Sequence, residues 1–257
     1  NRTSPFAFTG NRFEFRMVGS SENIACPNHM LNTIVASELS DIADKMEKVP
    51  ADKFKDELKK LLAEIVKEHK RVIFNGDGYS DAWVEEAAER GLPNYKTTAD
   101  CIPHYADEKN VKLFEKFGIF SKAEIEARVE ILLESYSKTI NIEALTMVDM
   151  AKKQYIPAVM GYTRTLADTV LAVKSAGADA TVQTTVLKSI SEKLAEAQAA
   201  ETALEDKLAE AAGIEDPKKL AFFYKDVVHT AMDDLRTPVH NPSGKIHRQG
   251  EIDNGKI

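Results

Sequence analysis

The chain has little cysteine, and no long run free of charge. Two cysteines, Cys26 and Cys101, among 257 residues exclude a disulfide scaffold. No signal peptide is visible, so a reducing, cytoplasmic setting is expected. The longest stretch without Asp, Glu, Lys or Arg covers residues 23–37, too short for a bilayer span and broken by Asn, His and Pro. Basic residues are outnumbered, giving a net charge of −7, so binding to nucleic acid through overall charge is not expected. A local basic pocket remains compatible with that balance. There is no Gly-x-Gly-x-x-Gly, no Walker-type phosphate loop, no His-Glu-x-x-His and no Cys-x-x-Cys. What is present is 43% hydrophobic and 29% charged, a composition that can bury a large core. The chain opens Asn1-Arg2-Thr3, without Met, in dense motif-like sequence, which reads as a cut edge.

Residues 1–21 hold four of the eleven Phe, namely Phe6, Phe8, Phe13 and Phe15. Residues 12–18 alternate charged and apolar, the period of a strand with two different faces. Arg12, Glu14 and Arg16 then share one face. Two readings stand for it. One is a solvated charge ladder. The other is a phosphate and metal pocket, in which arginine forks hold phosphate oxygens and the carboxylate binds Mg²⁺ or Mn²⁺. Arg2 would add a third guanidinium.

From residue 22 to residue 120 the pattern is helical with loops. Met30, Ile34, Leu39, Ile42 and Met46 share one helical face, and Phe54, Leu58, Leu61, Leu62 and Ile65 another. Ser80 or Asp81 can cap a helix over residues 82–90 that Gly91 closes. The loop over residues 75–81 fails as a calcium loop, since Ile73 and Val84 fall at its first and last ligand positions. Cys26 with His29, and Cys101 with His104, are each half a zinc site at most and read as structural residues.

Ser121 with Glu124 forms a capping box, ahead of a buried face of Ile125, Val129, Leu132, Leu133 and Tyr136. Leu145, Val148, Tyr155, Val159, Tyr162, Leu166, Val170 and Val173 follow at near-heptad spacing, with Lys152 in the one missing place. Pro157 should kink or split that helix. Val186, Ile190, Leu194, Ala197, Leu204 and Leu208 make a second stripe after the turn around Gly177, so a long antiparallel helical hairpin is expected. A last helix starts at Asp216 or Pro217 and reaches about Leu235. Residues 237–257 have few apolar anchors and read as a disordered tail.

Four segments carry a family resemblance: residues 1–21, 70–83, 107–114 (Asp-Glu-Lys-Asn-Val-Lys-Leu-Phe) and 138–151. Together they resemble the type III glutamine synthetases, over about residues 1–236. The resemblance implies an α+β parent fold, of which this chain would be the C-terminal part: mainly α, with an N-terminal β-strand motif and the helical hairpin. It divides the chain at 1–120 (catalytic domain), 121–236 (the long-helix region of type III) and 237–257 (divergent tail). It implies an ATP-dependent glutamate–ammonia ligase acting through γ-glutamyl phosphate with two divalent ions. The partners implied are glutamate, ammonia and further copies in a ring, with neither nucleic acid nor membrane. Glu14 resembles the metal-binding glutamate, Arg16 the arginine on the substrate carboxylate or transferred phosphoryl group, Arg12 a nucleotide-contacting residue and Arg2 the arginine reaching the ATP phosphates. Ala7 departs from the better-known bacterial pattern, which has an arginine there. The other metal ligands and the catalytic loops of such enzymes would lie upstream, so the chain alone is expected to be inactive. The alternative is a non-catalytic helical assembly or regulatory module derived from the same fold.

Overall fold

A computed structural model describes residues 6–8, 12–15, 23–74 and 76–240. The first elements are β1 (Phe6–Phe8) and β2 (Phe13–Phe15), paired antiparallel with Phe6 opposite Phe15, Ala7 opposite Glu14 and Phe8 opposite Phe13. Ten α-helices follow among the described residues: α1 (Ala25–Met46), α2 (Phe54–Glu68), α3 (Asp81–Glu89), α4 (Thr98–Cys101), α5 (Glu108–Lys116), α6 (Lys122–Met150), α7 (Ile156–Ser175), α8 (Thr181–Ala211), α9 (Pro217–Phe223) and α10 (His229–His240).

The α+β reading with an N-terminal strand motif is therefore corrected. Of the strand expected over residues 12–18, the described part is short and does not build a sheet layer. Only Phe13–Phe15 is strand, residues 16–18 lie outside the described residues, and helices make up nearly everything else described. Alternation alone does not make a sheet. A strand needs partners on its edges, and among the described residues the two three-residue strands have only each other, too little for an independent sheet layer.

The chain divides into two compact units. The first comprises Asn1–Lys96 with Tyr105–Ile125. Here α1 packs on α2 and α5. Its aromatic centre sets His29 edge-on to Phe114 and Phe120, with ring centroids 5.9 and 5.1 Å away. The His29 ring Nε2 shares a 3.0 Å hydrogen bond with the Tyr105 hydroxyl. Ser80 caps α3, accepting from the Trp83 amide, and Gly91 takes φ +69° where α3 ends. Ser121 and Glu124 form the reciprocal cap of α6, the Ser121 amide donating to Glu124 at 2.8 Å.

The second unit comprises Thr97–His104 with Glu126–Ile257. Helices α7 and α8 run antiparallel, joined through Gly177 at φ +75°, and α10 packs on α8. The core joins Ala144, Val148, Ala151 and Ile156 to Leu204 and Ala211 of α8, and to Tyr224, Val228 and Leu235. The Tyr224 hydroxyl donates to Asn141 at 3.0 Å.

Pro157 does not kink the helix by itself. A π-helical turn, Ala151–Tyr155, leads into α7, and the Ile156 amide bonds five residues back to Ala151. That turn absorbs the register change that the missing proline N–H imposes. At the wider turn the buried face departs locally from the predicted stripe. Ile156 goes inside at 9% exposure, whereas Tyr155 and Tyr162, expected inside, are 45% and 54% exposed. A second π-turn, Tyr224–Val228, separates α9 from α10. Helix α10 continues through residues 237–240, with Pro238 inside it, and residues 241–257 lie outside the described residues. No helix among the described residues is long and apolar enough to cross a membrane.

Candidate functional site

The sequence places its chemistry in the N-terminal segment, of which Arg12 and Glu14 are described. Residues two apart on a strand project to the same side, so Arg12 and Glu14 share a face. The Arg12 Nη2 lies 3.7 Å from Glu14 Oε1. Arg12 is largely exposed and Glu14 about one-third exposed. At this exposure the pair contributes little to stability, because water screens it and two long side chains must be ordered. It sets a carboxylate beside a guanidinium. Ala7 stands opposite Glu14 in the register. Arg2 and Arg16 lie outside the described residues.

The described residues gather no group of three His, Cys, Asp or Glu able to hold a metal ion. Glu14 would therefore supply one hard oxygen ligand to a divalent cation, which suits Mg²⁺ or Mn²⁺ chemistry but fills only part of an octahedral shell. Cys26 and Cys101 are both exposed. Cys26 donates to the Met30 sulfur at 3.8 Å. In the loop before α3, Asp77 accepts from the Tyr79 amide at 3.0 Å, a turn-forming bond; Asn75 lies outside the described residues. The loop is held from α3. Arg90 donates to the carbonyls of Arg71 and Ile73 at 3.1 and 2.8 Å, pairs with Glu86, and sits 5.4 Å over the Trp83 ring that stacks on Phe74.

Two charged clusters in the second unit escaped the sequence reading. Glu201 on α8 is 1% exposed. Lys152 lies 3.3 Å from its Oε1, without hydrogen-bond alignment, and donates to Glu205 at 2.6 Å. Gln198 donates to the other Glu201 oxygen at 2.8 Å. The bond to Glu205 is the main cause of a raised Lys152 pKa, and the same bond lowers that of Glu205. The second cluster ties α4 to the second π-turn. Lys225 donates to Asp100 at 2.6 Å, lies 3.3 Å from Asp226 and sits 4.8 Å over the Phe222 ring. The Lys225 bond, then the Thr97 hydroxyl, hold the Asp100 carboxyl below its usual range, and Lys225 is raised in return. Burial pushes the Tyr136 and Tyr224 phenols up.

Comparison with known proteins bears on this arrangement. Residues 57–174 match the family described as glutamine synthetase C-terminal domain. The chain is 40% identical over 242 residues to a glutamine synthetase of Butyrivibrio fibrisolvens, covering 92% of this chain and 34% of that protein. It is 43% identical over 171 residues to a type-3 glutamine synthetase of Dictyostelium discoideum, covering 66% of this chain and 23% of that protein. A glutamine synthetase of Bacteroides fragilis (strain YCH46) is 31% identical over 98% of this chain and 35% of its own length. The chain thus spans about a third or less of the curated relatives it matches.

Proposed function

From the membership of this chain in the glutamine synthetase family, we propose that it is a C-terminal part of an ATP-dependent, type III glutamate–ammonia ligase. The observation that carries the reading is the 40% identity to a glutamine synthetase across nearly the whole chain. In this reaction ATP phosphorylates the side-chain carboxylate of glutamate. Ammonia then attacks the γ-glutamyl phosphate carbonyl and phosphate leaves. A bound divalent ion supplies charge neutralisation on the phosphates.

Four residues of the N-terminal segment take their parts as follows. Glu14 contributes an oxygen ligand to the metal. Arg12 contacts the nucleotide and holds the Glu14 carboxylate in place. Arg16 meets the substrate carboxylate or the transferred phosphoryl group, and Arg2 the ATP phosphates. The remaining ligands belong to the two-thirds of the relatives' length that this chain does not span. The long helices serve assembly into a homo-oligomeric ring in the cytoplasm. The exposed side chains Ile131, Ile142 and Leu171, each more than 60% accessible, support that role.

The test is formation of γ-glutamyl hydroxamate from glutamate, ATP and hydroxylamine. We expect the complete gene product to make it, the 257-residue chain alone to make none, and Glu14→Ala in the complete product to abolish it with weakened divalent-metal binding. A complete product without this activity overturns the ligase assignment. Unchanged turnover in Glu14→Ala overturns only the role of Glu14.

A further inference from the structure

A cavity in the second unit is lined by none of the hairpin residues. It has a volume of about 480 Å³, within the range of small-molecule sites, and lies between α7, α8 and the last turn of α10. Its body is apolar: Ile156, Val159, Ile190 and Leu194 line it, and Pro238 and Val239 close one end. Its polar lining consists of Tyr155, Tyr162, Ser189 and Lys193. All four carry hydrogen-bond donors, and no carboxylate is among the lining residues. Lys193 is the one charged residue of the lining, and only a third of its side chain is exposed. Its ammonium donates to Glu196 at 2.6 Å, a pair within one helical turn. Such a pair is weak enough to be exchanged for a better-desolvated anion.

The wall at Tyr155 and Ile156 is the exit of the first π-turn. An unbroken α-helix would turn Tyr155 inward. The extra residue of the π-turn buries Ile156 and leaves Tyr155 on the cavity lip. Single π-turns of this kind concentrate at functional sites.

We propose that this cavity binds an amphiphilic monocarboxylate: an aliphatic chain in the apolar body, with its carboxylate at Lys193 and the neighbouring hydroxyls. Charge complementarity decides the headgroup, since the lining offers donors and one cation. Residues 241–257, which follow His240, are a poor alternative occupant. Ile246, Ile252 and Ile257 are their only large apolar side chains, and none are adjacent. The site rests on the second unit alone and is independent of the ligase reading.

The probe is dodecanoate below its micellar concentration, titrated calorimetrically into the 257-residue chain, with dodecanol as the uncharged control. We expect saturable one-to-one dodecanoate binding. Lys193→Met should weaken dodecanoate by about tenfold and leave dodecanol unchanged, as loss of a charge-assisted bond requires. Ala158→Trp, at an exposed lining position, should fill the cavity and abolish binding of both probes with the helical circular dichroism unchanged. Absence of saturable binding, binding that survives Ala158→Trp, or equal loss of both probes in Lys193→Met overturns the proposal. Binding only by a chain ending at residue 240 would show that residues 241–257 fill the cavity. A dimer that Ala158→Trp converts to monomer would show that a second copy does. Either result overturns the proposal.

Discussion

Glu201→Leu should stabilise the protein, although it deletes a member of an ion-pair cluster. The Glu201 side chain is 1% exposed, and its Oε1 has no aligned hydrogen-bond donor. A buried polar atom in that state costs about 1–3 kcal/mol. Leucine has a similar volume, and Leu204, fully buried on the same helix, lies in the same core. Two losses oppose the gain. The bond from Gln198 is worth about 1 kcal/mol, and Gln198 is exposed enough for water to replace its partner. The 3.3 Å contact with Lys152 also goes, but Lys152 keeps its 2.6 Å bond to Glu205. Replacement of buried ionic groups by apolar ones of similar size is often neutral or stabilising, and the balance here is a gain of about 1 kcal/mol. In urea that raises the midpoint by about 0.5 M with an unchanged slope. The assay is circular dichroism at the helix band, which is weighted toward the long helices of the second unit. Trp83, the chain's one tryptophan, lies in the first unit, so its fluorescence is the internal control. Glu201→Ala should instead destabilise, since it leaves a cavity. A midpoint lowered by about 0.5 M in Glu201→Leu, slope unchanged, would refute the reasoning and assign the buried charge a net stabilising role.

Two further outcomes follow from the other contacts. Lys225→Met should lower the melting temperature in a pH-dependent way. The Asp100 carboxyl is depressed mainly by the Lys225 bond, so that stabilisation is present above the unfolded carboxyl value of about 4 and fades as pH falls through the folded one. Lys225 is raised, so its share is complete below about 10.4 and fades as pH rises through the folded value. Melts of both proteins between these limits should differ by a constant amount and converge outside them; a difference that persists under strong acid contradicts the assignment. Arg90→Lys should loosen residues 71–76 without loss of helix, because lysine cannot fork to two carbonyls and a carboxylate while covering Trp83. The readouts are a red-shifted Trp83 emission and faster amide exchange in that loop, and unchanged spectra and exchange would count against it.

What was legible in the sequence divides along a physical line. Local signals held where the chemistry is local. Ser80, Ser121 and Asp216 each place an oxygen where a first-turn amide needs an acceptor, and each is found capping its helix. Gly177 takes the left-handed conformation that ends α7. The α+β reading failed because alternation specifies a strand face but not the further strands that a sheet layer needs; among the described residues Phe13–Phe15 pairs with Phe6–Phe8 alone. The stripe held at Val148 and Val170 but misplaced Leu145, Tyr155 and Tyr162; a heptad count assumes every turn is alike, and at the π-turn Ile156 takes the buried place expected of Tyr155. Lys152, in a place where the stripe wanted an apolar residue, was the visible trace of that irregularity. Its counterpart was visible too. The second stripe steps from Ala197 to Leu204 and passes over position 201, one helical turn after Ala197, where Glu201 stands. Two charged residues interrupting the two predicted stripes are each anomalous alone and explain each other together. Reading such gaps in pairs across a predicted hairpin would have located the cluster. No pairing rule would have found Asp100 and Lys225, 125 residues apart and on helices whose faces carry other charges.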